Sequence, residues 1–113
     1  MSIDVCFWWQ GKPSLSPEEL YKEAADGVSE NFEPSSLVID FRERLAIQWP
    51  GIEDSLEPLA YDPDLDEQED LSRFILVTLS SGRAEVLPEI IEMARTFRLT
   101  GYDPQSEQGI ARA

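Results

Sequence analysis

The chain has 113 residues, which suits one hydrophobic core, since two cores of roughly 55 residues each would both be marginal. Hydrophobic residues make up 42% of it and include three Trp and five Phe, enough burial to offset chain ordering, which excludes a wholly disordered protein. A net charge of −14 excludes a surface for nucleic acid or anionic lipid, because both need Lys and Arg to neutralise phosphates.

The acidity is concentrated. Residues 53–70 carry nine acids and no base, whereas residues 1–52 carry nine acids and four bases and residues 71–113 carry five of each. Cys6 is the single cysteine, so no internal disulfide is expected, and neither a secretory leader nor an apolar run of roughly 18 residues is read. The expectation is a cytoplasmic protein in reducing surroundings.

From the start, Ile3, Val5, Phe7 and Trp9 alternate with Asp4, Cys6, Trp8 and Gln10, the period of a strand with one face in a core. Residues 11–14 form a turn by composition. Ser16-Pro17-Glu18-Glu19 reads as a helix start, with Ser16 as N-cap, Pro17 in the first helical position and Glu19 completing a capping box. That helix is expected over residues 17–29 with Leu20, Ala24 and Val28 inward. Residues 31–36 are a break. Val38, Phe41, Leu45 and Trp49 then recur at helical spacing, which predicts a second helix over residues 36–48, stopped by Pro50-Gly51. Asp40 and Arg44 stand four apart on its polar side, as an ion pair would.

Residues 51–72 dissolve into acids, prolines and scattered leucines. They read as an acidic loop in which residues 56–61 are an edge-strand candidate, because an edge tolerates Pro58. Residues 74–79 read as a strand buried on both faces and central in the sheet. A last helix is expected over residues 85–98, with Pro88 in its first turn and Leu87, Ile90, Ile91, Ala94 and Phe97 inward. Residues 99–103 make a final short strand and residues 106–113 a flexible tail. The order β-α-α-(β)-β-α-β predicts an α/β sandwich of the α+β kind. It is one domain over residues 1–105, with helices packed on a sheet of three or four strands.

Catalytic patterns are scarce. Histidine is absent, which removes the usual general base, the commonest metal ligand and every His-dependent triad. Cys6 stands in a strand among aromatic residues with no neighbouring base, the setting of an inert thiol. Ser80-Ser81-Gly82-Arg83 has one glycine, too few for a phosphate loop. Asp62 to Asp66 imitate the opening of an EF-hand, but Glu67 stands where glycine is needed and Arg73 where a bidentate glutamate is needed. Carboxylate pairs that cleave glycosides need a rigid cleft and one raised pKa, which a solvated acidic run does not supply. No catalytic residue, metal site or cofactor is assigned.

The acidic run has two readings. It is a solvated loop that keeps the chain soluble, or it is a surface for a basic partner, which relieves the mutual repulsion of nine uncompensated acids. On the second reading the partner-binding residues are Glu53, Asp54, Glu57, Tyr61, Asp62, Asp64, Asp66, Glu67, Glu69 and Asp70. Trp8 and Trp9 point to opposite faces of the first strand. With helices on one face only, one indole is core and the other faces a partner or lies under the long loop, and Trp8 joins the set on the partner-facing reading.

The opening Ile3-Asp4-Val5-Cys6-Phe7-Trp8-Trp9, the Ser-Pro-Glu-Glu cap, the strand at residues 74–79 and the closing Tyr102-Asp103-Pro104-Gln105 together resemble a largely uncharacterised family of small bacterial immunity-like proteins of polymorphic toxin systems. The likeness covers nearly the whole chain, and Tyr-Asp-Pro-Gln is its most specific part. It implies a non-catalytic cytoplasmic protein that binds a cognate toxin and occludes its basic active site. It carries over no catalytic residue. Two other classes stay open: an adaptor or regulatory subunit for a basic protein, and a small enzyme working through carboxylates alone.

Overall fold

The computed structural model describes residues 2–60 and 63–112. The alternating opening folds as β1 (Ser2–Trp8), and a short continuation, β2 (Gln10–Gly11), pairs with β3 (Phe32–Glu33). Between them runs α1 (Pro17–Ala25); after them come α2 (Ser36–Gln48), a 3-10 turn over Ile52–Ser55 and β4 (Leu56–Glu57). The apolar run becomes β5 (Ile75–Ser80). A second 3-10 turn, Ser81–Val86, leads into α3 (Leu87–Thr96), followed by β6 (Thr100–Asp103) and β7 (Gln108–Ile110).

Among the described residues, five strands form one antiparallel sheet in the spatial order β4-β5-β1-β6-β7, with β2 and β3 as a separate pair and three α-helices packed around them. The fold is α+β, as the mixed strand and helix patterns imply. β5 is an interior strand buried on both faces, but the middle position belongs to β1.

Both faces of the sheet are covered. Val5 and Phe7 of β1, with Ile75, Val77 and Leu79 of β5, pack against Val38, Phe41 and Leu45 of α2 and Ile90 and Ala94 of α3. On the other face Cys6, Trp8, Leu76 and Tyr102 meet Leu20 and Ala24 of α1 and Phe32 of β3. Trp8 is therefore only 1% exposed, its ring set edge-on to Phe32 with centroids 5.5 Å apart. The expectation of an exposed Trp8 is corrected: it assumed a bare second face, which α1 and the β2–β3 pair in fact cover.

Local chemistry explains the helix ends. The capping box forms as the sequence implies, Glu19 N–H donating to Ser16 Oγ at 3.2 Å and Ser16 N–H to Glu19 Oε1 at 3.0 Å. α1 stops at Asp26 and not Ser29, because Gly27 turns the chain at φ +79°. Pro88 sits in the first turn of α3, where its missing N–H is harmless. Asp40 and Arg44 form no ion pair among the described residues.

The C-terminal stretch differs from the expected flexible tail. Residues 108–110 pair with β6, Ile110 is buried, and Thr100 Oγ1 donates to the Ile110 carbonyl at 2.7 Å. This raises the sheet from the expected three or four strands to five. Gly101 lets β6 approach β1, since a Cβ there would lie 2.3 Å from the Cys6 carbonyl oxygen. Beyond that pairing, Gln105 takes over with its side chain. The Asp4 N–H donates to Gln105 Oε1 at 3.0 Å, and Gln105 Nε2 donates to the Asp4 carbonyl at 2.7 Å. Asp103 sets the turn by accepting from the Gln105 N–H at 3.0 Å and from Ser106 Oγ at 3.0 Å. The Tyr-Asp-Pro-Gln stretch is thus a clamp on β1.

Candidate protein-binding surface

The acidic segment begins where α2 stops. Gly51, at φ +93°, turns the chain into the first 3-10 turn, where Glu53 and Asp54 are exposed while Ile52 is buried. In β4, Leu56 pairs with Val77 and enters the core, and Glu57 pairs with Leu76 and stays exposed. β4 is an edge strand that ends before Pro58, whose missing N–H cannot extend the ladder.

Two arginines pin this segment. Arg42 of α2 is 8% exposed and donates to the Pro58 carbonyl, and among the described residues its Nε has no hydrogen-bond partner. Burial pulls its pKa below the ordinary arginine value, yet a guanidinium stays charged at any physiological pH. At the far end Arg73 Nε donates to Asp70 Oδ2 at 3.1 Å, and Arg73 Nη1 to the Phe32 carbonyl at 2.8 Å. Asp70 Oδ1 accepts from the Ser72 N–H at 2.8 Å and from the Ser72 hydroxyl. The Ser72 hydroxyl, then the Ser72 amide, then Arg73 hold the Asp70 carboxyl below the usual aspartate range. A carboxyl held low is no proton donor near neutrality.

Between the pins Asp64, Asp66, Glu67 and Glu69 are exposed. Asp54, Glu57 and Glu69 come together on the walls of a groove of about 510 Å³, which Ser55, Pro58, Leu59 and Thr78 also line. Tyr61 and Asp62 lie outside the described residues. The structure thus gathers part of the sequence-derived set on one sheet edge and places Trp8 in the core on the α1 face. A second groove, of about 590 Å³, lies between α2 and α3, with Trp49, Met93 and Phe97 inside and Arg44, Glu89 and Glu92 around it.

Sequence reasoning missed Arg42 and met Arg73 only as the residue that spoils an EF-hand loop. Arg42 stands four residues after Val38 and next to Phe41, at the margin of the apolar stripe, and that position was the available signal. Among the described residues no group of three or more acidic or cysteine side chains is placed to hold a metal ion, and no helix is long and apolar enough to cross a membrane. Neither a family model, nor a curated protein, nor a solved structure matches the chain.

Proposed function

We propose that this protein is a non-catalytic binding protein of the immunity kind, whose acidic segment occupies the basic active site of a cognate bacterial toxin. One observation carries the reading. The eight described carboxylates of residues 53–70 (Glu53, Asp54, Glu57, Asp64, Asp66, Glu67, Glu69 and Asp70) are all exposed, on a segment that has no base of its own and is pinned near both ends.

A toxin that acts on nucleic acid carries a basic cleft for phosphates, and a fixed array of carboxylates fills it with matching sign. Pinning lowers the ordering cost of binding. The charge also steers encounter, so capture is fast even at low concentration.

The product of the gene adjoining this one is the natural probe, because an immunity gene normally follows its toxin. Mixed at equal concentration, the two proteins should elute as a stoichiometric complex, and the partner's activity on nucleic acid should disappear. An active adjoining product that neither binds nor is inhibited would contradict the proposal.

A further inference from the structure

Large apolar side chains are buried by default, so exposed ones that gather on one region of the molecule are informative. Five are exposed among the described residues: Val28, Ile39, Ile47, Leu59 and Leu65. Four of these lie on α2 or in the acidic segment. Ile39 and Ile47 are eight residues apart, about 12 Å along a helix, on the side of α2 away from the buried Val38, Phe41 and Leu45. Ile47 is the most open of the five at 68%. Asp40 and Glu43 are exposed between them. The hydrogen bond from Arg42 to Pro58 ties the segment that carries Leu59 and Leu65 to the flank of this same helix.

Taking the acidic segment as the partner-binding region proposed above, we infer that the outer face of α2 extends that region into one docking surface. Its occupant is a basic protein segment bearing apolar side chains, with Ile39 and Ile47 as the anchors.

Charge selects this occupant. Covering Ile39 and Ile47 also covers Asp40 and Glu43 with one base, Arg44, beside them, and a neutral apolar surface would desolvate the two carboxylates with at most that one cation to share. A second copy of this chain, itself at −14, would be repelled as a whole, and an anionic lipid surface would repel the acids in the same way. Lysine or arginine beside apolar residues satisfies both halves of the surface. Apolar anchors within a polar rim are also how most binding energy is concentrated.

The test uses two synthetic peptides of equal length and lysine count, one an amphipathic Leu/Lys helix and the other with every Leu replaced by Ser, titrated into the isotope-labelled protein at low salt. The Leu/Lys peptide should bind at least about tenfold tighter, with the largest amide shifts at Ile39, Glu43 and Ile47. The double variant Ile39→Ser/Ile47→Ser should reduce its affinity to that of the Ser/Lys peptide, whereas Val28→Ser should leave it unchanged. Equal binding of the two peptides to the wild-type protein, or shifts confined to residues 63–70, would overturn the α2 surface and leave the acidic reading standing. Failure of both peptides to bind would overturn the acidic reading and the α2 surface with it.

Discussion

Gln105 accepts the Asp4 N–H and returns a bond to the Asp4 carbonyl through one side-chain amide, while Asp103 Oδ1 accepts from the same Nε2 at 2.6 Å. Gln105→Ala should cost about 1 kcal/mol, the net worth of an intramolecular hydrogen bond where water can reach the vacated groups. Amide exchange at Asp4 should quicken with it; unchanged exchange would mean that the clamp does not hold the strand. Cys6 is fully buried on the face of the sheet that α1 covers, and burial pushes its thiol far above the ordinary range. The native protein at pH 8 should resist a thiol reagent and react only as it unfolds. Rapid labelling of folded protein would contradict the burial. The inert setting of Cys6 was legible from its strand position alone. The role of Gln105 was not, because a side chain that substitutes for backbone leaves no periodic trace.

At the scale of elements, legibility followed length. β1, α2, β5 and the capped start of α1 carry enough residues to display a period, from which the buried Val5, Phe7, Leu20, Val38, Phe41 and Leu45 were readable, whereas Trp8 and Arg42 were not. β2, β3 and β4 are two residues each and β7 is three, too short for any period, and only tertiary pairing defines them. Placing every helix on one face and missing the β2–β3 pair together left Trp8 on an open face. The interior position of β5 makes a direct prediction: Leu76→Ala, at a buried site beside Cys6, should cost about 2–5 kcal/mol in urea titration. A loss below about 0.5 kcal/mol would place the strand at the periphery.

The pin at the far end of the acidic segment gives a pH dependence. Asp70 has a lower pKa folded than unfolded, so its bonds to Ser72 and Arg73 contribute in full at and above the ordinary aspartate value of about 3.9. That contribution is lost as pH falls through the lower, folded value. The protection of the Ser72 amide, the slowing of its exchange relative to the unstructured chain at the same pH, should therefore fall on acidification in the wild-type protein. In Asp70→Asn that protection should already be low at neutral pH and change little; identical protection profiles in the two proteins would contradict the pin.

Across the whole molecule the charge is polarised. The acid-only segment adjoins β4 at one edge of the sheet, while around β6 and β7 at the other Arg98 and Arg112 are balanced by Asp103 and Glu107. With a net charge of −14, self-repulsion opposes compactness, so raising NaCl from low to moderate concentration should raise the melting temperature. The asymmetry was legible in composition. That the segment is pinned was not, because both arginines that hold it lie outside residues 53–70.

The central claim is that this pinned acidic edge captures a basic partner, and the association rate with the adjoining gene's product tests it most directly. The variant should change Glu53, Asp54, Glu57, Asp64, Asp66, Glu67 and Glu69 to their amides and spare Asp70, which holds Arg73 and Ser72. At low salt it should associate roughly 10 to 1,000 times more slowly than the wild type. The wild-type rate should itself fall as salt shortens the Debye length from about 10 Å at 0.1 M to about 3 Å at 1 M. A folded variant that associates at the wild-type rate at both salts would contradict the account and reduce residues 53–70 to a solvated loop.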